Sequence, residues 1–249
     1  MGGLGFQVRQ GFVARRHRMH AEPLVHFSAE IHRTPFLPVF VRQNAFPGHV
    51  DKPPPGTQRR RRGRNHMARL EYRNREDLAP ADQDLLKRNI NLHRILTHSP
   101  GMTRAFSTLG GYIRYGSKLD ARLRELAILQ VGWCARSDYE WSHHVKIGYD
   151  FGVTDGDIVA LIADTNGQVT SLPELDRLVL RAAREAHAGP GVSEVTFNAL
   201  LGCLGTEHLT DLIVTVAFYC AVVRVLASMQ IDVESDYIKY LEKYPFPAV

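Results

Sequence analysis

Four residues have the types and spacing for proton transfer: Glu125, Ser137, Glu140 and His144. They lie in Arg122-Leu-Arg-Glu-Leu-Ala-Ile-Leu129 and in Ser137-Asp-Tyr-Glu-Trp-Ser-His-His-Val-Lys146. In a helix, positions i, i+3 and i+7 share a face, so Ser137, Glu140 and His144 line one stripe, extended by Trp141 and Gly148. Glu140 and His144 can hydrogen-bond at i, i+4, and a carboxylate that holds one ring nitrogen leaves the other for acid–base work. Glu125 belongs to the preceding helix. Its i+3, i+4 and i+7 neighbours are Ile128, Leu129 and Gly132, a setting that points to partial burial and a raised carboxyl pKa. Gly132 leaves room for another helix to approach closely. The competing reading makes Glu125 a surface residue paired with Arg122 or Arg124, and His144 a satisfied structural histidine.

His143 points about 100° away from His144. Glu140-x-x-His143 has the spacing of one half of a di-iron carboxylate motif, but no second Glu-x-x-His accompanies it. No metal site and no cofactor are therefore expected. Cys134-Ala-Arg-Ser137 looks like a redox Cys-x-x-Cys that lacks its second thiol. A single thiol with a lowered pKa would still suit a one-cysteine peroxidase.

The elements that must position these groups all read as helices. Leu85, Leu86, Asn89, Leu92, His93 and Leu96 form a helical stripe behind the start signal Pro80-Ala-Asp82. Ser99-Pro100 ends that helix and starts another, which runs to about Gly116. Leu119–Ala135 and Ser137–Tyr149 are the two helices of the site, and Gly152 closes the second. Thr154-Asp-Gly-Asp157 caps a fifth helix. Ser171-Leu-Pro-Glu174 reads as a capping box opening a helix to about His187. Gly189-Pro-Gly191 breaks the chain, Ser193 opens a helix ending near Gly205, and Thr206 starts a long apolar helix to about Met229. A short helix spans 234–243. Strand-type alternation is absent, so the expected fold is all-α.

The chain has 249 residues, three unpaired-looking cysteines (Cys134, Cys203, Cys220) and a net charge of +5. That charge is unevenly placed. Residues 1–66 hold 12 Lys+Arg against 3 Asp+Glu, and the remaining 19 face 23, so positions 67–249 carry −4. Nucleic-acid binding by the folded part is not expected. Residues 1–66 also hold seven of the thirteen prolines, Pro53-Pro-Pro55 and the run Arg59-Arg-Arg-Arg62. No helical or strand period persists there, and such a segment buries too little apolar surface to offset its ordering entropy. The expectation is an extension outside the mature protein, with translation beginning at Met67. A targeting peptide and a nucleic-acid arm are the alternatives. The stretch Leu209–Leu226 comes nearest to a membrane span, but Thr210, Asp211, Thr215 and Arg224 interrupt it. It reads as a buried helix, with no membrane partner and a cytoplasmic location.

Arg124-Glu-Leu-Ala-Ile-Leu129, Tyr139-Glu-Trp-Ser-His-His-Val145 and Gly152-Val-Thr-Asp155 with Ile158 together resemble the carboxymuconolactone decarboxylase and alkylhydroperoxidase-D (AhpD-like) superfamily. The likeness is densest over 119–163. It implies an AhpD-like helical bundle that assembles as a homotrimer or hexamer. In the peroxidase branch a Glu precedes Cys-x-x-Cys-x-x-x-His by twelve residues. On this chain that pattern falls on Glu125, Ser137, Glu140 and His144. Both redox thiols are replaced while the proton-relay Glu and His remain. Serine cannot form a sulfenic acid and a carboxylate cannot resolve one, which argues against disulfide-based peroxide reduction.

What remains resembles the thiol-free branch. The implied function is a cofactor-independent acid–base enzyme, performing decarboxylation or lactone chemistry on a small carboxylated substrate. In it His144 is the base or acid, Glu140 orients it, Glu125 relays a proton, and Ser137 hydrogen-bonds the substrate or a water. Arg122, Arg124, Arg136 and Lys146 are the candidates for holding a carboxylate. The alternatives are a thiol peroxidase using Cys134 (peroxiredoxin activity) and a non-catalytic oligomeric binding protein.

Overall fold

The structure, a computed structural model, describes residues 68–248. The basic extension over 1–66 and the expected start at Met67 lie outside the described residues. Eight α-helices follow one another: α1 (Asn91–Leu96), α2 (Pro100–Gly111), α3 (Ala121–Cys134), α4 (Asp138–Asp150), α5 (Asp155–Thr165), α6 (Glu174–Ala188), α7 (Glu194–Met229) and α8 (Ser235–Lys243). Two 3₁₀ segments precede them, at Arg75–Asp77 and Pro80–Leu86, and a π turn, Tyr112–Gly116, extends α2. No strand occurs among the described residues, so the all-α expectation agrees with the structure.

The bundle is built around α3. Every residue from Leu123 to Trp133 is buried, and α3 packs against α4, α5, α6 and α7. A helix that is apolar nearly all round belongs in the interior. Its polar exceptions, Arg124, Glu125 and Gln130, must therefore find partners inside the protein. Gln130 does so: its carbonyl accepts from Thr165 Oγ1 at 3.0 Å and from Arg184 at 3.0 Å. Arg122, on a more open edge, ties α3 to α5 and α6 through Asp157 and Asp176.

The turn from α3 into α4 sets the site. Arg136 takes the left-handed conformation at φ 48°, uncommon for a residue with a Cβ. Its guanidinium donates to Pro247 O at 2.6 Å and lies 5.5 Å from the Phe246 ring centre, which holds it there. The two helices then come very close at Gly132. A Cβ at that position would stand 3.3 Å from the Trp141 backbone nitrogen, so the room read from the sequence is filled by the backbone of α4. Gly132→Val is expected to cost about 2 kcal/mol through overpacking, read as a lower urea midpoint. Gly202→Ala, on an exposed stretch of α7 with open space around the new methyl, serves as the opposite control with a gain of about 0.5–1 kcal/mol.

Three sequence expectations change. The single helix read over 85–96 is divided into the 3₁₀ segment and α1. Ile90 is extended, and Asn91 is held by the C-terminal segment: its N–H donates to Glu234 Oε1 at 2.6 Å and its Nδ2 to Asp232 O at 2.9 Å. These long-range partners override the local period. Ser171 does not cap α6, whose N-cap position is Pro173, with no side-chain cap. The long stretch from Leu209 is half-buried rather than enclosed. Within α7 the chain breaks at Gly205 (φ 70°, ψ 177°), as expected. The helix is long and apolar enough by length and composition to cross a membrane, and it packs one face on α3 and α6. Val195, Phe197 and Val214 of α7 are exposed.

Candidate active site

Burial on α3 turns Glu125 from a surface candidate into an interior carboxylate with no exposed area. One oxygen accepts from the neighbouring Arg124 guanidinium at 3.2 Å. Arg124 is itself buried and stacks 4.5 Å from the Phe151 ring centre. The other oxygen of Glu125 meets His144 Nδ1 at 2.6 Å. On the far side of the imidazole, Glu140 Oε1 lies 3.1 Å from Nε2. This second contact is too misaligned for a hydrogen bond and leaves Oε1 buried without a hydrogen-bond partner. His144 thus stands between two carboxylates, and Glu125, not Glu140, is the one that orients it.

Charge follows from this packing. Burial alone would push the His144 pKa down. The carboxylates of Glu125 and Glu140 outweigh it and hold His144 above its ordinary value. Burial likewise pushes Glu125 up, but His144, then Arg124 and Arg114, hold it below the usual carboxylate range. Both shifts favour the charged form of the pair, an imidazolium gripped by a carboxylate.

The next residue behaves oppositely. His143 is clamped between the rings of Tyr139 (4.1 Å, 13°) and Tyr237 (3.6 Å, 8°), and its Nε2 meets Glu234 Oε2 at 2.7 Å. Glu234 is also bound by the Tyr139 hydroxyl at 3.2 Å. Here burial outweighs the carboxylate, and the His143 pKa is lowered.

Glu140, His143 and His144 open onto a cavity of about 320 Å³. Its walls come from the segment leading into α1, from α2 and its π turn, from α4, and from α7. Phe106 and Phe218, 4.8 Å apart, supply much of the apolar lining. Tyr219 presents an edge to the His144 ring at 5.0 Å.

Of the four residues singled out in the sequence, three are brought together and one is not. Ser137, expected to hydrogen-bond substrate or water, is the N-cap of α4: its hydroxyl accepts from the Glu140 N–H at 3.3 Å. It is absent from the cavity wall. The reason is geometric, since the stripe argument treats Ser137 as inside the helix when it sits at its mouth. The basic candidates also fall elsewhere. Arg122 is engaged by two aspartates, Arg124 by Glu125, Arg136 by Pro247 O, and Lys146 by Asp150. Cys134 does not line the cavity either; its thiol accepts from Gln130 at 3.2 Å, and burial pushes its pKa up.

The sequence reading missed Arg88, His93, Arg114 and Tyr219, all of which line the cavity. One signal was available. Gly110-Gly111 sits inside a helix, where paired glycines are costly and often mark close approach or function. Both line the cavity, and Arg114 follows in the π turn, a feature frequent at functional sites.

Comparison with known proteins agrees with this picture. Residues 100–166 match the family model of the Carboxymuconolactone decarboxylase family. No curated protein matches the sequence. Among solved structures, the alkylhydroperoxidase AhpD core of an uncharacterized peroxidase-related protein from Ralstonia eutropha JMP134 aligns with a TM-score of 0.57 and 20% identity, over 72% of this chain and 97% of its own. An alanine variant of the debrominase Bmp8, in complex with 2,3,4-tribromopyrrole, aligns with a TM-score of 0.57 and 18% identity, over 71% of this chain and 98% of its own. At these identities the structural likeness is one of fold. The matched segment contains Glu125, Glu140 and His144, and the fold agrees over nearly the full length of both neighbours.

Proposed function

We propose that the protein is a cofactor-independent acid–base enzyme that performs decarboxylation or lactone chemistry on a small carboxylated substrate. The observation that carries this reading is His144, buried between Glu125 and Glu140 on the wall of a largely apolar cavity. In a decarboxylation, the carbon–carboxylate bond breaks and carbon dioxide leaves. The electron pair delocalises onto a conjugated carbonyl oxygen, and the carbon then takes one proton. His144, whose protonated form Glu125 favours, is the donor of that proton. In an isomerisation of a lactone, Glu140 takes a proton from carbon and His144 returns one at another position. Oε1 of Glu140 touches His144 Nε2 at 3.1 Å but makes no hydrogen bond, which suits it to accept a proton or a ligand hydrogen bond. The apolar part of the wall lowers the local dielectric, which strengthens both steps.

The geometry does not favour the peroxidase alternative. A reactive cysteine needs a depressed pKa and access. Cys134 has a raised one and stands away from the cavity.

The test is a screen of the full chain against β-keto acids, unsaturated lactone acids and organic hydroperoxides, following carbon dioxide release, absorbance and peroxide loss. On a substrate so identified, His144→Gln is expected to lower kcat by about 10²–10⁴-fold, the usual worth of a positioned acid–base group. Cys134→Ser is expected to leave it unchanged. Full turnover by His144→Gln would sink the mechanism, and hydroperoxide consumption abolished by Cys134→Ser would replace it with the thiol reading.

A further inference from the structure

The cavity wall carries a second set of charged groups. Arg88 and Arg114 both line it, and neither has a carboxylate within ion-pair distance among the described residues. Arg104, Arg122, Arg124, Arg181 and Arg184 each have one. Two half-buried guanidiniums facing one cavity without an ion-paired carboxylate form an unfinished arrangement, since buried charge is ordinarily paired; Glu125 acts on Arg114 only from beyond ion-pair distance. His93, on the same wall, adds a third feature. Its Nδ1 is buried with no hydrogen-bond partner. Burial, then the charges of Arg88 and Arg114, press its pKa down to about 4, so the ring is neutral at neutral pH. The same wall carries Glu140, with Glu125 behind His144. Tyr219 joins the two sets of charges: its ring is edge-on to His144, and its hydroxyl interacts with Arg114.

We propose that Arg88 and Arg114 form a carboxylate subsite, with His93 Nδ1 accepting a hydrogen bond from a hydroxyl or N–H on the same ligand. The ligand class is a small, flat carboxylate bearing such a donor. Its charged end lies at the arginines, and its reacting end is turned toward His144 and Glu140. Planar guanidiniums recognise carboxylates with paired, directed hydrogen bonds. Glu140 enforces the orientation, because a carboxylate placed against it would meet like charge. The orientation toward a reacting end rests on the proposed acid–base function; the anion subsite itself does not require turnover.

Binding to the full chain tests it, with 3-hydroxybenzoate and its neutral counterpart 3-hydroxybenzamide as probes, followed by calorimetry or ligand-observed NMR. The acid is expected to bind at least about 10-fold more tightly than the amide, as one charge-assisted hydrogen bond implies. Arg88→Gln and Arg114→Gln should each erase about 10-fold or more of that preference, with melting curves confirming that each variant is folded. His93→Leu should remove the advantage of 3-hydroxybenzoate over plain benzoate. His144→Gln should keep acid binding within about 3-fold while lacking turnover, which separates failure of the subsite from failure of the acid–base reading. Equal binding of acid and amide, undiminished acid binding in both arginine variants, persistence of the hydroxyl advantage in His93→Leu, or no binding at millimolar acid overturns the assignment.

Discussion

Replacing Glu125 by leucine is expected to destabilise the protein by about 3–5 kcal/mol, the consequence of removing one partner from a buried ion pair. Glu125 is fully buried, and its loss strands two groups that are almost as deeply buried, Arg124 and His144. Neither has another carboxylate in hydrogen-bonding geometry. Urea unfolding should show the midpoint falling with little change in slope. A loss under about 1 kcal/mol would place the contact with ordinary surface pairs and refute the reading. Glu125→Gln separates charge from shape. It keeps an oxygen for the ring but withdraws the charge that opposes burial, so the His144 pKa, followed by NMR, should fall. The same pair shapes stability against pH. His144 is held above its ordinary value, so its contribution is complete below that value and is lost as pH rises through the folded pKa. Glu125 is held below the carboxylate range, so its contribution is complete above that range and is lost as pH falls through the folded pKa. Between these limits the pair contributes in full.

Trp141→Ala is the second large effect, with about 3–5 kcal/mol expected from a fully buried tryptophan. Trp141 does more than fill space. Its indole N–H donates to Tyr244 O at 3.0 Å, and its ring lies 4.9 Å from Trp133 and 6.0 Å from Phe246. Phe246 also packs on Trp133 at 4.9 Å. The substitution therefore releases the chain beyond α8 as well as opening a cavity. Hydrogen exchange should show protection lost first at Tyr244 and across α8, ahead of α3. Uniform loss over the whole protein, or a cost under about 1 kcal/mol, would contradict an anchoring role for the indole.

The helices of the site were legible because their signals are local. Asp120, Ser137 and Thr154 cap α3, α4 and α5, and the apolar pattern of α3 required a central position. Spacing placed Glu140 beside His144, and Gly132 announced the close approach that brings Glu125 to the same ring. Other features depended on distant partners. Glu234 reaches back to fix the start of α1 and to hold His143, and no period in either segment announces that pairing. Arg88 and Arg114 reach the cavity through a 3₁₀ exit and a π turn, where helical spacing rules do not apply. Ser137 shows the opposite failure. Its spacing fits the stripe, yet the first position of a helix turns its side chain back to the backbone.

The adjacent histidines of α4 carry one last implication. The carboxylates beside one favour its protonated form, and burial of the other between tyrosines favours its neutral form, yet both border the same cavity. Consecutive residues thus lean toward opposite ionisations at a single solvent pH. Only the turn of the backbone between them sets the acid-leaning ring apart from the base-leaning one.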